Sequence, residues 1–537
     1  MEMMNKHQTM YQAVEESSSK FSNNDALWYL NKTYSYAHLI NKIHSCANKL
    51  VELGYKKDDV ITICLPNIPI AIYLFYAINQ IGAIANLVHP LMKSAQLLGI
   101  MKKTNSKLLF CLDTSYDEFA SFEHDDITVI PCSPVLESSL VFKLGYRIQN
   151  RKKLNRYGLI EHSSKDKDFL RSKPLLTSER DYLKDSVYLH SGGTTGEPKT
   201  IALSSFAINA LAAQGADIMG IVDATIHHML AVLPMFHGFG LCMGIHALIC
   251  HGGCDMLMPK FDVEQTIEHI EKNRLSFLIG IPVLYESLLQ NPHFCGNKLK
   301  HLHIAFVGGD FVSKSLLDRF NNRMIEAGSK CRLYEGYGLT ETVTVSHVNI
   351  EAMHREKSVG KALSNIKTKI IDLETGIDLP RNREGEICIS GETLMNGYRF
   401  EKEMSDPFIV DSDGVKWIKT GDLGMLDEDD YLYFKQRLKR LVKVNGINVF
   451  PSEIENAVCS LKEVYECAAI GVADSKRGNM IKLFVVLDKH LELINIDDRI
   501  NGIIKDKCGV YALPKEIVYM AKLPKTLLGK IDVKNLN

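Results

Sequence analysis

Nine consecutive residues, Ser191-Gly192-Gly193-Thr194-Thr195-Gly196-Glu197-Pro198-Lys199, bring glycines, hydroxyls and one cation together directly after an apolar strand pattern at 187–189. Glycines let backbone N–H groups turn inward and approach a ligand closely. Ser191, Thr194 and Thr195 add hydroxyl donors, and Lys199 adds a positive charge. Together they suit an anion, above all the phosphates of a nucleotide. The common P-loop ends in Gly-Lys-Ser/Thr. Here Pro198 precedes Lys199, so a helix cannot begin there in the usual way. Alone, such a stretch is equally an ordinary Gly/Thr surface loop, and the remaining residues must decide.

Two further strands end in glycine-rich segments, where open α/β sheets bind ligands. One, at 304–307, runs into Gly308-Gly309-Asp310; the other leads into Tyr334-Glu335-Gly336-Tyr337-Gly338-Leu339-Thr340-Glu341-Thr342. The backbone at Gly308 and Gly309 suits a flat adenine, Tyr337 could lie against its ring, and Glu341 could carry a magnesium ion. Thr420-Gly421-Asp422 reads as an acidic turn. Its carboxylate could accept two ribose hydroxyls, or simply stabilise the turn. His246, Cys250, His251 and Cys254 imitate a metal cluster, but they form one local group without a second ligand pair, and buried structural thiols are expected.

The elements that must position these groups follow an α/β pattern. A helix opens at Tyr34-Ser35-Tyr36 and stops at Gly54, a strand follows at 60–65, a helix near 70–81, and strands at 83–87, 108–112 and 127–130. Strands spaced by helices imply a largely parallel sheet with helices on its faces. The alternation resumes at 277–280, and 355–435 turns β-rich. Past Arg437 a helix is expected with Ser452 as its N-cap, then strands at 468–472 and 482–487, a helix at 496–508 and a strand at 516–520: a compact α+β unit. The run Phe142, Lys143, Arg147, Arg151, Lys152, Lys153, Arg156 is basic. It could touch an anionic membrane surface or the phosphates of a large cofactor, while a solvated helix face is the commoner use of such a run.

The 537 residues require at least two domains. Lys+Arg 63 against Asp+Glu 64 leaves no charge excess to suggest nucleic acid. Thirteen scattered cysteines and a polar stretch at 1–12 point to free thiols in a reducing cytoplasm. The apolar run 229–250 is broken by Pro234 and glycines, which argues against a membrane span.

Taken together, the motifs resemble the adenylate-forming superfamily of acyl-CoA and aryl-CoA synthetases, peptide-synthetase adenylation domains and luciferases. The match keeps the family order over nearly the whole chain: Ser191 to Lys199, Pro234-Met235-Phe236-His237-Gly238, Tyr337 to Glu341, Thr420-Gly421-Asp422, Arg437-Leu438-Lys439 with Gly446, and Pro524-Lys525-Thr526-Leu527-Leu528-Gly529-Lys530. Gln436 stands where the family usually has Gly or Asp, and Asp430 where Gly commonly precedes Tyr-Leu. The resemblance implies an α/β fold: a large N-terminal domain of α/β sheets with a β-rich subdomain (1–438) and a small mobile α+β C-terminal domain (439–537).

It also implies roles. ATP, Mg²⁺ and coenzyme A are the expected cofactors, with nucleotide contacts along Ser191, Gly192, Gly193, Thr194, Thr195, Gly196 and Lys199. Further contacts fall at Gly308, Gly309, Asp310, Glu335, Gly336, Tyr337, Gly338 and Thr340. Thr194, Thr195 and Lys199 would handle the triphosphate, Glu341 the metal, and Asp422 and Arg437 the ribose side. Lys530 would approach the carboxylate, and His237 would line its pocket. Rotation about Lys439 would exchange Lys530 for the loop holding Lys443 and Gly446. The implied activity is an acid–CoA ligase working through acyl-AMP, on a fatty or aryl acid because the pocket residues are small or apolar. Two alternatives are a loader of a separate acyl carrier protein and a non-catalytic nucleotide-binding regulator. Retention of Lys199, Glu341, Asp422, Arg437 and Lys530 argues against the regulator.

Overall fold

Three large sheets and two small ones organise the described residues in a computed structural model that describes residues 4–154, 165–170, 181–191, 198–218, 223–272, 275–310, 312–350, 353–400, 406–474, 477–488, 495–525 and 531–536. A seven-stranded sheet runs in the order Gly397–Arg399, Lys199–Ser204, Asp185–Ser191, Ile84–Leu87, Val60–Cys64, Leu108–Leu112, Thr128–Cys132. Its five-strand core is parallel, and the first two strands join antiparallel. A nine-stranded sheet has a parallel centre that includes Leu333–Tyr337, Ile304–Val307, Phe277–Gly280, His228–Ala231 and Cys254–Leu257. The strands predicted at 108–112, 277–280 and 304–307 occur as expected; most others shift by a residue or two, while those predicted at 468–472 and 482–487 begin four residues earlier, at Val464 and Gly478.

Continuous apolar sequence explains how these sheets associate. All 12 residues of the helix Pro69–Gln80 are buried, the mark of a helix enclosed on every side rather than laid on a surface. Pro69 fits its first turn, where no N–H is needed. One apolar cluster joins Leu27 of the nine-stranded sheet, Ile61 and Leu189 of the seven-stranded sheet, and Ile370 and Ile387 of a third, antiparallel sheet. Ser35 caps the helix Tyr36–Glu52, accepting from His38 N.

The third sheet pairs Ile366–Ile371, Gly385–Gly391 and Lys416–Leu426, with Phe408–Val410 and Leu432–Arg437 both on the last of these. Beyond it, Val464–Asp474, Gly478–Leu487 and Pro514–Tyr519 form a three-stranded sheet. The helices Pro451–Cys459 and Ile496–Cys508 pack on it, and its two apolar clusters draw only on residues 442–536. Ser452 is not the N-cap. Phe450 holds that position, and the Ser452 hydroxyl instead donates to the Lys435 carbonyl at 3.0 Å and meets Gln436 Oε1 at 3.2 Å.

The histidine–cysteine group at 246–254 is structural. His246 meets the Tyr76 hydroxyl at 3.0 Å through one ring nitrogen and Asn209 Oδ1 at 2.8 Å through the other, leaving neither for a metal. His251 turns away to the Ala212 carbonyl. All thirteen cysteines are unpaired, ten of them buried. No helix among the described residues is long and apolar enough to cross a membrane.

The fully buried Asp255 lies on Cys254–Leu257 with neither carboxylate oxygen hydrogen-bonded. Burial pushes its carboxyl well above the ordinary range. The folded chain therefore holds a proton that the unfolded chain releases above about pH 4, and stability falls as pH rises past that point. Asp255→Asn should raise the Tm, and by more at about pH 8 than at about pH 5. Thermal melts showing no gain at either pH would mean that Asp255 is ionised and solvated.

Candidate active site

The three large sheets meet at a cluster to which each contributes. Ser191 closes one strand and Lys199 opens the next, directly opposite it in the antiparallel register. Gly192, Gly193, Thr194, Thr195, Gly196 and Lys530 lie outside the described residues. Lys199 Nζ sits 4.6 Å from the centre of the Tyr398 ring, a cation–π contact. The Tyr398 hydroxyl donates to Glu341 Oε1 at 2.8 Å. Tyr398 thus bridges the cation of the glycine-rich stretch and the carboxylate expected to bind metal.

The strand Gly397–Arg399 holds Tyr398 in place. It pairs along Lys199–Ser204, and Arg399 grips Asp185 through two hydrogen bonds of 2.7 and 2.9 Å. Such a fork is geometrically specific.

From the nine-stranded sheet come Glu335, Gly336 and Tyr337, which are strand residues rather than loop residues. Gly338 then opens the loop to the short turn Thr340–Thr342, which carries Glu341. A Cβ on Gly338 would fall 1.5 Å from the Thr344 carbonyl oxygen, and one on Gly238 1.8 Å from that of Val343. Neither position can take a larger residue without moving backbone. Val343 itself holds φ 66°, ψ −60°, a costly conformation for a β-branched residue. The His237 loop and the Glu341 loop therefore lock against each other.

Asn67 secures the His237 loop from the seven-stranded sheet. Its amide donates to the Ala231 and Leu233 carbonyls at 2.9 and 2.8 Å and accepts from Met235 N at 3.0 Å. After His237 the chain winds as a π-helix, Phe239–His246. The Phe236 ring packs against that of His89, centres 4.6 Å apart and planes tilted by 51°. Gly308 and Gly309 follow the strand Ile304–Val307 as expected, with Asp310 exposed beside them. Burial raises the Glu335 carboxyl to about 8.

Thr420-Gly421-Asp422 is not a turn. It lies inside the long strand Lys416–Leu426, at a bulge where the pairing with Glu386–Cys388 slips. Gly421 takes φ 71° there, conformational freedom that favours glycine. The bulge turns Asp422 inward. Its Oδ2 accepts from the Tyr337 hydroxyl at 2.6 Å, and Arg437 Nε, across the strand pair, stands 3.0 Å from Oδ1. Oδ1 makes no hydrogen bond despite its burial. An oriented, dry acceptor with a vacant lone pair fits a pair of ligand hydroxyls.

Burial raises the Asp422 carboxyl to about 6; Arg437 and Tyr337 work against that shift, and Glu341 adds to it. Arg437 in turn feels Asp422, Glu341 and Tyr398. The two halves of the cluster are one electrostatic unit.

Lys443 and Gly446 are elsewhere. They lie on the hairpin Val442–Val444 and Ile447–Val449, whose Asn445-Gly446 tip has φ 50° and 79°. The hairpin is tied to its own unit by Arg477 and Asn479. Tyr398, Asn67 and Arg399 escaped the sequence reading. Each acts through contacts distant in the chain.

Affinity for ATP, titrated as a function of pH, should fall about tenfold per unit below about pH 6 as Asp422 takes up a proton and loses its acceptor. Asp422→Asn should bind weakly at every pH; a parent profile flat down to about pH 5 would exclude this role. Tyr398→Phe keeps the ring against Lys199 and removes the bond to Glu341. We expect the Mg²⁺ concentration needed for half-maximal ATP binding to shift by about tenfold. No shift would mean Tyr398 does not orient Glu341.

A family model described as AMP-binding enzyme matches residues 14–399, and one for the AMP-binding enzyme C-terminal domain matches residues 453–530. The long-chain-fatty-acid–CoA ligase of Bacillus subtilis (strain 168) is 26% identical over 98% of this chain and 93% of its own length. The 4-coumarate–CoA ligase 1 of Arabidopsis thaliana is 27% identical over 94% of this chain and 87% of its own. Among solved structures, ATP-bound MatB from Rhodopseudomonas palustris superposes with a TM-score of 0.84 at 23% identity over 98% of both chains. The o-succinylbenzoate CoA synthetase (MenE) of Bacillus subtilis with its acyl-adenylate intermediate gives 0.80 at 21%, over 99% of this chain and 98% of that one. The glycine-rich stretch, the ordered motifs and the three-sheet junction have one common explanation: the chain belongs to the AMP-binding enzyme family.

Proposed function

We propose that the chain is an ATP-dependent carboxylic acid–CoA ligase that works through an acyl-AMP, with the three-sheet cluster as its nucleotide site. The observation that carries this reading is the convergence of Lys199, Tyr398, Glu341, Asp422 and Arg437 from three sheets. A cation for phosphate, a carboxylate for metal and a ribose acceptor stand side by side. A carboxylate cannot be displaced by a thiol, because oxide would have to leave. Attack of the carboxylate oxygen on the α-phosphorus breaks the bond to pyrophosphate and gives a mixed anhydride. The thiol sulfur then attacks the acyl carbon, and AMP departs with the electron pair.

Lys199 opposes the charge that builds on the phosphates in the first step. Asp422 receives the ribose hydroxyls, and Arg437 keeps it ionised. Glu341 would hold Mg²⁺, which screens the phosphate oxygens and customarily takes only one or two protein carboxylates. The acid enters beside Phe236 and Phe239, an apolar wall suited to an uncharged acyl or aryl group. The two relatives named above, a fatty-acid ligase and a 4-coumarate ligase, fit that wall.

The domain boundary belongs at 438/439. Arg437 is bound to Asp422 on one side of it. On the other, Arg440 is bound to Glu455 at 2.6 Å and donates to the Ala469 carbonyl. Between these anchors Lys439 is exposed on the turn Leu438–Arg440. Rotation there would present Lys530 for adenylation and the hairpin of Lys443 and Gly446 for thiol transfer. The ten buried thiols suit a cytoplasmic setting.

Lys530→Ala should lower ATP–pyrophosphate exchange by at least about 100-fold while leaving thioester formation from supplied acyl-AMP within a few-fold. The assay pairs a panel of fatty and aryl acids with CoA. Equal loss of both half-reactions would sink the assignment of Lys530. Exchange without transfer to CoA would replace CoA by a carrier protein as acceptor.

A further inference from the structure

The helix Leu140–Gln149 buries none of its residues. Its solvent side is nonetheless apolar: Leu140, Val141, Leu144 and Ile148 are 82%, 80%, 62% and 69% exposed. The spacing i, i+1, i+4, i+8 puts all four on one face. The helix is tied down from other positions. The Tyr146 hydroxyl donates to Asp113, and Leu154, one short helix later, packs against the apolar cluster of Met101 and Phe119. An amphipathic helix on a protein surface ordinarily turns its apolar stripe inward. Here the stripe faces outward, against the hydrophobic effect, and so needs something to cover it.

The charges beside the stripe identify the cover. Lys143, Arg147, Arg151, Lys152 and Lys153 are interleaved with it and follow it, and the helix pair 140–154 contains no acidic residue. Among the described residues, none of these five cations forms an ion pair, although the chain as a whole is nearly neutral. A stripe of branched aliphatic side chains with cations of one sign alongside matches an anionic phospholipid surface. The aliphatic groups enter the acyl boundary while the lysines and arginines meet headgroup phosphates. A solvated face, the ordinary reading of a basic run, explains the charges but not four exposed aliphatic residues in register.

We infer that the helix Leu140–Gln149, with the basic turn that follows it, is a membrane-surface anchor that seats the protein on anionic lipid. This inference is independent of the ligase reading. The intact protein would be sedimented with vesicles of phosphatidylcholine alone and with an equimolar mixture of phosphatidylcholine and phosphatidylglycerol. We expect binding to the mixed vesicles, weakened by salt, and little to the neutral ones. The double variant Leu144→Glu/Ile148→Glu should bind at least about tenfold more weakly while its ATP–pyrophosphate exchange is unchanged. In Leu144→Trp, fluorescence should shift to the blue on adding mixed vesicles.

Three results would overturn the inference: no sedimentation of the parent with anionic vesicles, equal binding by the double variant, or self-association without lipid that the double variant abolishes. The last would make a second copy of the chain the occupant of the stripe.

Discussion

Asp422 has been taken out of water and left with an oxygen that no hydrogen bond satisfies. Such a group persists only where its surroundings hold it, and those surroundings connect the parts of this enzyme. Tyr337 reaches it from the nine-stranded sheet, and Arg437 from the neighbouring strand, two residues before the proposed hinge. Arg437 offsets part of the cost of burying the carboxylate. Removing Arg437 would therefore leave a buried charge unpaired beside the nucleotide site and loosen the last anchor before the C-terminal unit. One ion pair thus links the proposed ribose acceptor to the start of the unit that we propose rotates.

The same economy governs the phosphate side. A lysine and a carboxylate near one another usually pair directly. Here Tyr398 stands between them, taking Lys199 on its ring face and Glu341 on its hydroxyl. One side chain thus positions both groups, at the place where we propose that phosphate and metal bind. Tyr398 can do this because Arg399 clamps its strand to Asp185, and the Glu341 loop is wedged against the His237 loop where Gly238 and Gly338 admit no side chain. The glycines of these motifs are thus explained by backbone crossing backbone, independently of any ligand.

Much of this was legible in the sequence. Helical periodicity located Tyr36–Glu52, which buries one face, and continuous apolar runs located the parallel strands, which are buried on both. Asp430, standing where the family resemblance led to an expectation of Gly, does take a glycine-like φ of 65°. The failures share a cause. Thr420-Gly421-Asp422 looked like a turn because Gly and Asp favour turns, yet the cross-strand partners that make it a bulge come from residues 386–388. Tyr398 lies on a three-residue strand with no period of its own, and its meaning comes from Lys199 and Glu341. Ser452 had the residue type of a cap, but tertiary contact with Lys435 and Gln436 drew its hydroxyl away. Local chemistry proposes such roles, and long-range contacts reassign them. The outward stripe on Leu140–Gln149 escaped for the same reason, since spacing reveals a face but not which way it points.

An acyl-AMP forms only if the carboxylate itself attacks the α-phosphorus. The direct test supplies a carboxylic acid labelled with ¹⁸O in its carboxyl group, together with ATP and CoA, and reads the label in the products by mass spectrometry. Transfer of one ¹⁸O per turnover into AMP, with none in pyrophosphate, is the predicted result. Label in inorganic phosphate with ADP as the nucleotide product would contradict it, because the acid would then have attacked the terminal phosphate.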